Sequence, residues 1–347
     1  MKAKNWNIIV IVASLLLLLI LAVTTAIIDP FLHYHKPLDF LEYPLKDERY
    51  QNDGITRHFE YDALITGTSM TQNFKPSEFD ALWGTNTIKA SYSGATYHEL
   101  NEHIRRALEY NTDIKYVLCS LDGTRLIAPA DAYGYEGNPD YLYDSNPFND
   151  VEYLLNKEVV PKTIAVVNYT RAGEQTPTMD EYGNWNQYMT FGRDAVVSSF
   201  ELQPIREEEV VLSEDDIEMI RENVTKNFLA TALAHPDTQF ILFYPPYSIC
   251  YWEGLVRGNQ LKSQLQAEEM AAEILLTAEN VHLYSFSDRT DIIDNLDNYG
   301  DTLHYGEWIN SEILQCISKG DGKLTKDNYK EFFREIKTLY SNYTYDY

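Results

Sequence analysis

Cysteine is scarce, and its number is odd: Cys119, Cys250 and Cys316 are the three in a chain of 347 residues. So small and scattered a set excludes a disulfide framework, and there is no CxxC pair or His/Cys cluster of the kind that holds zinc. Cys119 and Cys316 lie in apolar runs (YVLCSL and ILQCIS) and are expected as small core residues. Positive charge is the second shortage. Lys and Arg total 28 against 53 Asp and Glu, for a formal net charge of -25. Such a surface repels phosphate backbones, so nucleic acid is excluded as a partner. It also repels anionic headgroups, so the folded part is expected to stand off a bilayer except at its tether. Internal repeats are absent, and no cofactor is expected.

What is present begins with apolar content of 44%, ordinary for a chain that buries a core. One long uncharged run, Ile8 to Ile28, covers 21 residues. At 1.5 Å per residue it reaches about 30 Å, the thickness of a bilayer's hydrocarbon core. Lys2 and Lys4 precede it and Asp29-Pro30 follows. Basic flanks stay cytoplasmic, so residues 1–29 read as a single-pass anchor with everything after Asp29 outside. A cleaved signal peptide is the rival, since Thr24-Thr25-Ala26 offers small residues, but the run exceeds a typical signal core.

Residues 30–60, with Pro30, Pro37 and Pro44, read as a lead-in away from the membrane. His33 and His35 form an H-x-H pair there, expected as solvated loop histidines rather than a metal site. From Tyr61 strand and helix signals alternate. Strands are expected at residues 63–66, 86–92, 116–121, 240–244 and 281–286. Helices are expected at residues 76–83, from the capping box Thr96/Glu99 to about Asn111, from Ser213/Asp216 to about Ala234, over 255–279, and over 308–317. Residues 124–210, rich in Tyr, Gly, Pro and Asn, read as a large insertion of loops and short helices. The tail, 321–347, is expected to be helical to Tyr340. This order argues for an α/β domain over 61–320 with a five-stranded, mostly parallel sheet.

Two segments carry chemistry-bearing residues. Ile65-Thr66-Gly67-Thr68-Ser69-Met70 puts a serine just past a strand, on a turn with a glycine. There a hydroxyl stands at the carboxyl edge of the sheet, and nearby backbone N–H groups can meet a developing oxyanion. Tyr299-Gly300-Asp301-Thr302-Leu303-His304-Tyr305 precedes the last helix of the domain. Its three-residue offset lets Asp301 accept from the imidazole Nδ1–H of His304 and leaves Nε2 to take a serine proton. His98 and His103, five apart on a helix, face different ways and are not read as paired ligands.

These blocks resemble those of the SGNH/GDSL hydrolase superfamily, over roughly residues 60–320. Gly67 to Met70 (GTSM) resembles the first, with Ser69 as nucleophile. Ser91-Tyr92-Ser93-Gly94 resembles the second, where the Gly94 N–H joins that of Ser69 in an oxyanion hole. Asp301 and His304 resemble the last. The resemblance implies a flavodoxin-like three-layer α/β/α fold and hydrolysis or transfer of ester-linked acyl groups. Membrane-tethered relatives, among them the D-alanyl transfer protein of teichoic acid operons and alginate acetylation proteins, act on cell-surface glycopolymers. By that likeness, a membrane-bound acyl-donor protein is an implied partner. The chain departs from the pattern twice: Thr68 stands where the family has aspartate, and Asp122 stands where it has asparagine. An ionised aspartate cannot donate to an oxyanion, so Asn73 and Asn184 are candidate replacement donors. Two readings follow: a serine esterase or O-acyltransferase, or a non-catalytic scaffold of the same fold that binds glycan or membrane partners.

Overall fold

The computed structural model describes residues 3–135, 137–144, 146–202 and 204–345. Lys2, one of the basic residues ahead of the apolar run, lies outside the described residues, as do the last two positions of the tail. The chain forms two compact units: residues 1–59 with 137–178, and residues 60–136 with 179–347.

The second unit is an α/β body. Its strands are β1 (Ala63–Thr66), β2 (Thr87–Lys89), β3 (Tyr116–Ser120), β4 (Gln239–Tyr244), β5 (Val281–Ser285) and β6 (Lys323–Leu324), in the order β2-β1-β3-β4-β5-β6. The first five pair in parallel and β6 runs antiparallel to β5. Order 2-1-3-4-5 is that of flavodoxin-like sheets, whose ligands bind where the strand order reverses, here between β1 and β3. The strands read as continuous apolar runs because helices cover both faces: all four residues of β1 are buried. Helices Tyr97–Tyr110, Glu214–Val224, Leu261–Leu275 and Tyr329–Ser341 pack in one set, and Pro76–Trp83 packs with Glu307–Lys319 in another. Both capping boxes form, Thr96 with Glu99 and Ser213 with Asp216. Cys119 and Cys250 are buried, while Cys316 is half-buried and accepts from the Arg289 guanidinium.

Several expectations change. The sheet has a sixth strand, missed because two residues beside Gly320 and Gly322 carry no periodicity. The helix expected over 255–279 is two, Ile249–Arg257 and Leu261–Leu275. Asn259 breaks it in the left-handed region (φ 51°), which asparagine tolerates better than most residues. The tail helix is part of the α/β unit, since Tyr340 stacks on Trp252 at 4.1 Å and donates to the Ser287 carbonyl.

The lead-in and the insertion are also divided differently. Residues 137–178, the middle of the insertion, belong with residues 1–59, while 179–210 stay with the sheet. In this first unit the helix Ala3–Ile28 is long and apolar enough to cross a membrane. Asp29 follows it at φ 49° and accepts from the backbone N–H groups of His33, Tyr34 and His35 and from the Tyr153 hydroxyl. Phe31, Leu142, Tyr153 and Val159 form the core beside it. His33 is therefore not a solvated loop residue. It is buried among Tyr34 and Tyr153, with Nε2 3.5 Å from Asp150.

Helix Glu48–His58 passes beneath this turn at Gly54, where an added Cβ would lie 2.3 Å from the Leu32 carbonyl oxygen and 2.6 Å from that of Phe31. Backbone cannot step aside as a flexible side chain would. Gly54→Ala is expected to cost about 1–3 kcal/mol, as overpacking does, and to lower the thermal unfolding transition of this unit. An unchanged transition would show that the two segments do not approach so closely.

Candidate active site

The site lies at the carboxyl edge of the sheet, where β1, β2 and β3 deliver their following turns. After β1 the chain turns at Gly67 (φ 137°), where a side chain would meet Thr71 and the Ser120 hydroxyl below 3 Å. Thr68 then caps a single turn, Ser69–Thr71, by accepting from the Met70 N–H. This lifts Ser69 out of the buried layer. Its Oγ lies 2.8 Å from His304 Nε2.

His304 stands in a loop that folds back on itself, with Tyr299 and Tyr305 bridged and the Gly300 N–H donating to the His304 carbonyl. Asp301 closes the loop. Its Oδ1 accepts from the N–H groups of Leu303 and His304, and its Oδ2 is 2.8 Å from His304 Nδ1. Burial pushes this carboxyl up, but the imidazole and the backbone donors outweigh burial and hold it below the usual carboxylate range. An ionised Asp301 fixes the proton on Nδ1 and leaves the Nε2 lone pair toward the serine hydroxyl.

Two cavities open on either side of this pair. One, of about 350 Å³, is lined by Gln72, Trp185, Tyr188 and Met189. The other, of about 260 Å³, is lined by Gly94, Asp122, Thr124, Arg125 and Tyr247. Ser69, Ser93 and His304 are common to both. Gly94 sits at φ 69°, a conformation open to glycine, in the turn after β2. Among the described residues, the backbone N–H groups of Ser69 and Gly94 donate to no protein acceptor.

The two departures from the family pattern are partners. Thr68 donates its hydroxyl to Asp122 Oδ2, and the Tyr247 hydroxyl donates to Oδ1 at 2.7 Å. Burial raises the Asp122 carboxyl above its ordinary value, and these two donors only partly offset it. Both oxygens are thus spent as acceptors, tying the turn after β3 to the turn that carries Ser69. Asn73 and Asn184 do not reach the cavities as donors. The Asn73 side-chain oxygen accepts from the Trp185 N–H, and the Asn184 amide donates to Glu307. The polar side chains on the Gly94 side are instead Thr124, Tyr247 and Arg125, whose guanidinium donates to the Gly94 carbonyl.

Sequence reasoning missed two residues that hold the turn carrying Ser69 and the segment after it. Trp185 donates Nε1–H to the Ser69 carbonyl at 3.1 Å and sets its ring edge-on to His304 at 5.4 Å. Lys89, at the end of β2 and 1% exposed, donates Nζ to the carbonyls of Gln72, Phe74 and Asp180. It pins the segment that follows that turn to Asp180 in the insertion. A lysine in a strand otherwise buried was the available signal; nothing local distinguished Trp185 from other aromatic residues of the insertion.

Beneath Gly123 lies Glu268, buried, with Gln264 donating to one oxygen and, among the described residues, no partner at the other. Burial pushes it from 4.5 up to about 7, against the opposing Gln264 amide. A raised folded-state value means stability is fully present below about 4.5 and lost as pH rises through about 7. Glu268→Gln is expected to flatten that part of the stability–pH curve and to be more stable than wild type at pH 8, by up to about 3 kcal/mol. Parallel curves for the two proteins, measured by denaturant unfolding, would refute the assignment.

No family model and no curated protein matches the chain. Among solved structures it is similar to one from Streptococcus pneumonia, described provisionally as a platelet activating factor, at 10% identity and a TM-score of 0.37. That likeness covers 82% of this chain and 91% of the other. At that distance the comparison carries no argument, and the chemistry rests on the chain's own residues.

Proposed function

We propose that this protein is a membrane-anchored serine esterase or O-acyltransferase that acts, outside the cell membrane, on acyl esters of a cell-surface or secreted glycopolymer. The observation that carries this is the line Asp301–His304–Ser69, with 2.8 Å at each side-chain step. Ser69 Oγ attacks the acyl carbonyl as His304 Nε2 takes its proton, and Asp301 stabilises the imidazolium. The Ser69 and Gly94 N–H groups receive the negative charge that develops on the carbonyl oxygen. His304 then protonates the departing alkoxide, leaving an acyl ester on Ser69. Water or a sugar hydroxyl, deprotonated by the same Nε2, attacks the acyl carbonyl, and the imidazolium returns that proton to Ser69 Oγ as the acyl–oxygen bond breaks. Arg125, on the wall of the cavity beside Gly94, offsets the buried Asp122 carboxyl beside the oxyanion. Tyr188 and Trp185 offer aromatic faces suited to a sugar ring.

The SGNH resemblance and the single apolar helix support the glycopolymer and the outward placement. The second reading, a non-catalytic scaffold, is favoured by Asp122, because losing one oxyanion donor costs about 10²–10³ in rate.

A fluorophosphonate probe separates the two. Wild type is expected to label at one site, and Ser69→Ala to lose labelling while keeping its unfolding transition. Unlabelled, folded wild type would select the scaffold, and labelling that survives Ser69→Ala would overturn the nucleophile.

A finer check is Trp185→Phe, which removes the donor to the Ser69 carbonyl but keeps a ring. It is expected to lower kcat for a p-nitrophenyl ester about tenfold, the worth of one hydrogen bond, with KM little changed. An unchanged kcat would remove Trp185 from the machinery.

A further inference from the structure

The anchor and the unit that holds it constrain each other. The apolar run from Ile8 to Ile28 has about the length of one hydrocarbon core and no turns to spare. Its last two turns are docked in the folded unit. Thr25, 1% exposed, meets the Thr163 hydroxyl at 3.4 Å, the Tyr43 hydroxyl donates to the Ile28 carbonyl, and His35 Nε2 contacts the Ile27 carbonyl. The same turns are bare on the other side, with Val23 47% and Ile27 56% exposed. Those side chains need lipid around them. Helix Val159–Arg171, which carries Thr163, therefore lies at the depth where lipid still reaches Ile27. That helix is apolar over most of its first nine residues yet buries only Val159, Thr163 and Val166. Pro161 and Ile164 are exposed, Ile164 by 56%. A helix this apolar in water would be expected to bury far more of itself.

We propose that helix Val159–Arg171 is a second membrane contact. It rests in the outer interface of the bilayer, with Pro161 and Ile164 in the headgroup–acyl boundary, and forms with the retained anchor one lipid-seated collar. Interfacial helices sit in this way, apolar side chains a few ångström below the headgroups. The charged groups of this segment suit such a seat: Lys157 and Glu158 are exposed ahead of the helix, and Lys162 pairs with Asp47 at 2.7 Å. The collar also decides between anchor and signal peptide, because cleavage near Ala26 would remove Thr25, the partner of Thr163, and expose the contacts around Asp29.

The test uses the full chain, with Cys316→Ser to silence the half-buried thiol, reconstituted in phosphatidylcholine vesicles. Nitroxide labels are placed at Ile164→Cys and, as a polar control in the same unit, at Glu174→Cys. Collision with oxygen and with a soluble nickel chelate is read for each. At position 164 the label is expected to be open to oxygen and shielded from nickel at least fivefold relative to position 174. Equal nickel access at both positions would overturn the proposal. So would a label at 164 that is immobile and closed to both agents, which would place a protein partner there instead. The intact mass of protein isolated from membranes is expected to include residues 8–28, and a mass lacking them would also overturn it.

Discussion

A hydrogen bond between Ser69 Oγ and His304 Nε2 joins positions 235 residues apart in the chain. Every other arrangement around the site serves to make that contact possible. The serine needs a turn tight enough to bring it out of a buried strand, which Gly67 permits. The imidazole needs a fixed tautomer and orientation, which Asp301 supplies by taking the ring N–H on one oxygen and two backbone N–H groups on the other. A carboxylate so fully occupied cannot swing away, and one short loop carries both His304 and the carboxylate that orients it. The parallel sheet then brings that loop and the Ser69 turn to the same edge.

The Thr68–Asp122 bond joins the two positions at which the chain differs from the pattern it resembles. Read separately, a threonine for an aspartate and an aspartate for an asparagine are two losses. Together they are a donor and an acceptor, and Tyr247 satisfies the second oxygen. The cost is electrostatic. A buried carboxyl lies in the cavity wall that also holds Ser69 and Gly94, and its raised value reflects that burial. Arg125 on the same cavity wall offsets it in part. Neither donor anticipated from the sequence lines the cavities: the Asn184 amide is spent on Glu307, and the Asn73 Nδ2 is buried away from them while its oxygen accepts from the Trp185 backbone N–H.

The aromatic insertion has two fates. Residues 137–178 build the small unit around the end of the apolar helix, where Tyr153 reaches Asp29 and helix Val159–Arg171 packs on Thr25. Residues 179–210 contribute Trp185, Tyr188 and Met189 to a cavity wall. Composition alone could not separate these halves, since both are rich in tyrosine and turn residues. The separation follows from which backbone groups each half satisfies.

Five strand cores, two capping boxes, the apolar helix and the pairing of Asp301 with His304 were legible in the sequence, because each depends on neighbours within a turn or two. Apolar runs bounded by glycine, Thr96 three before Glu99, and a carboxylate three before a histidine are local patterns with local physics. What required the tertiary structure was long-range. It includes the sixth strand, whose two residues gain order only by pairing with β5, and the break at Asn259. It includes the burial of His33 and the clamp of Lys89 across Gln72, Phe74 and Asp180. It includes Trp185 on the Ser69 carbonyl and the bond that joins Thr68 to Asp122. A hydrogen bond has no signature at one end alone, so the partners of these residues emerged only when the fold set distant segments side by side.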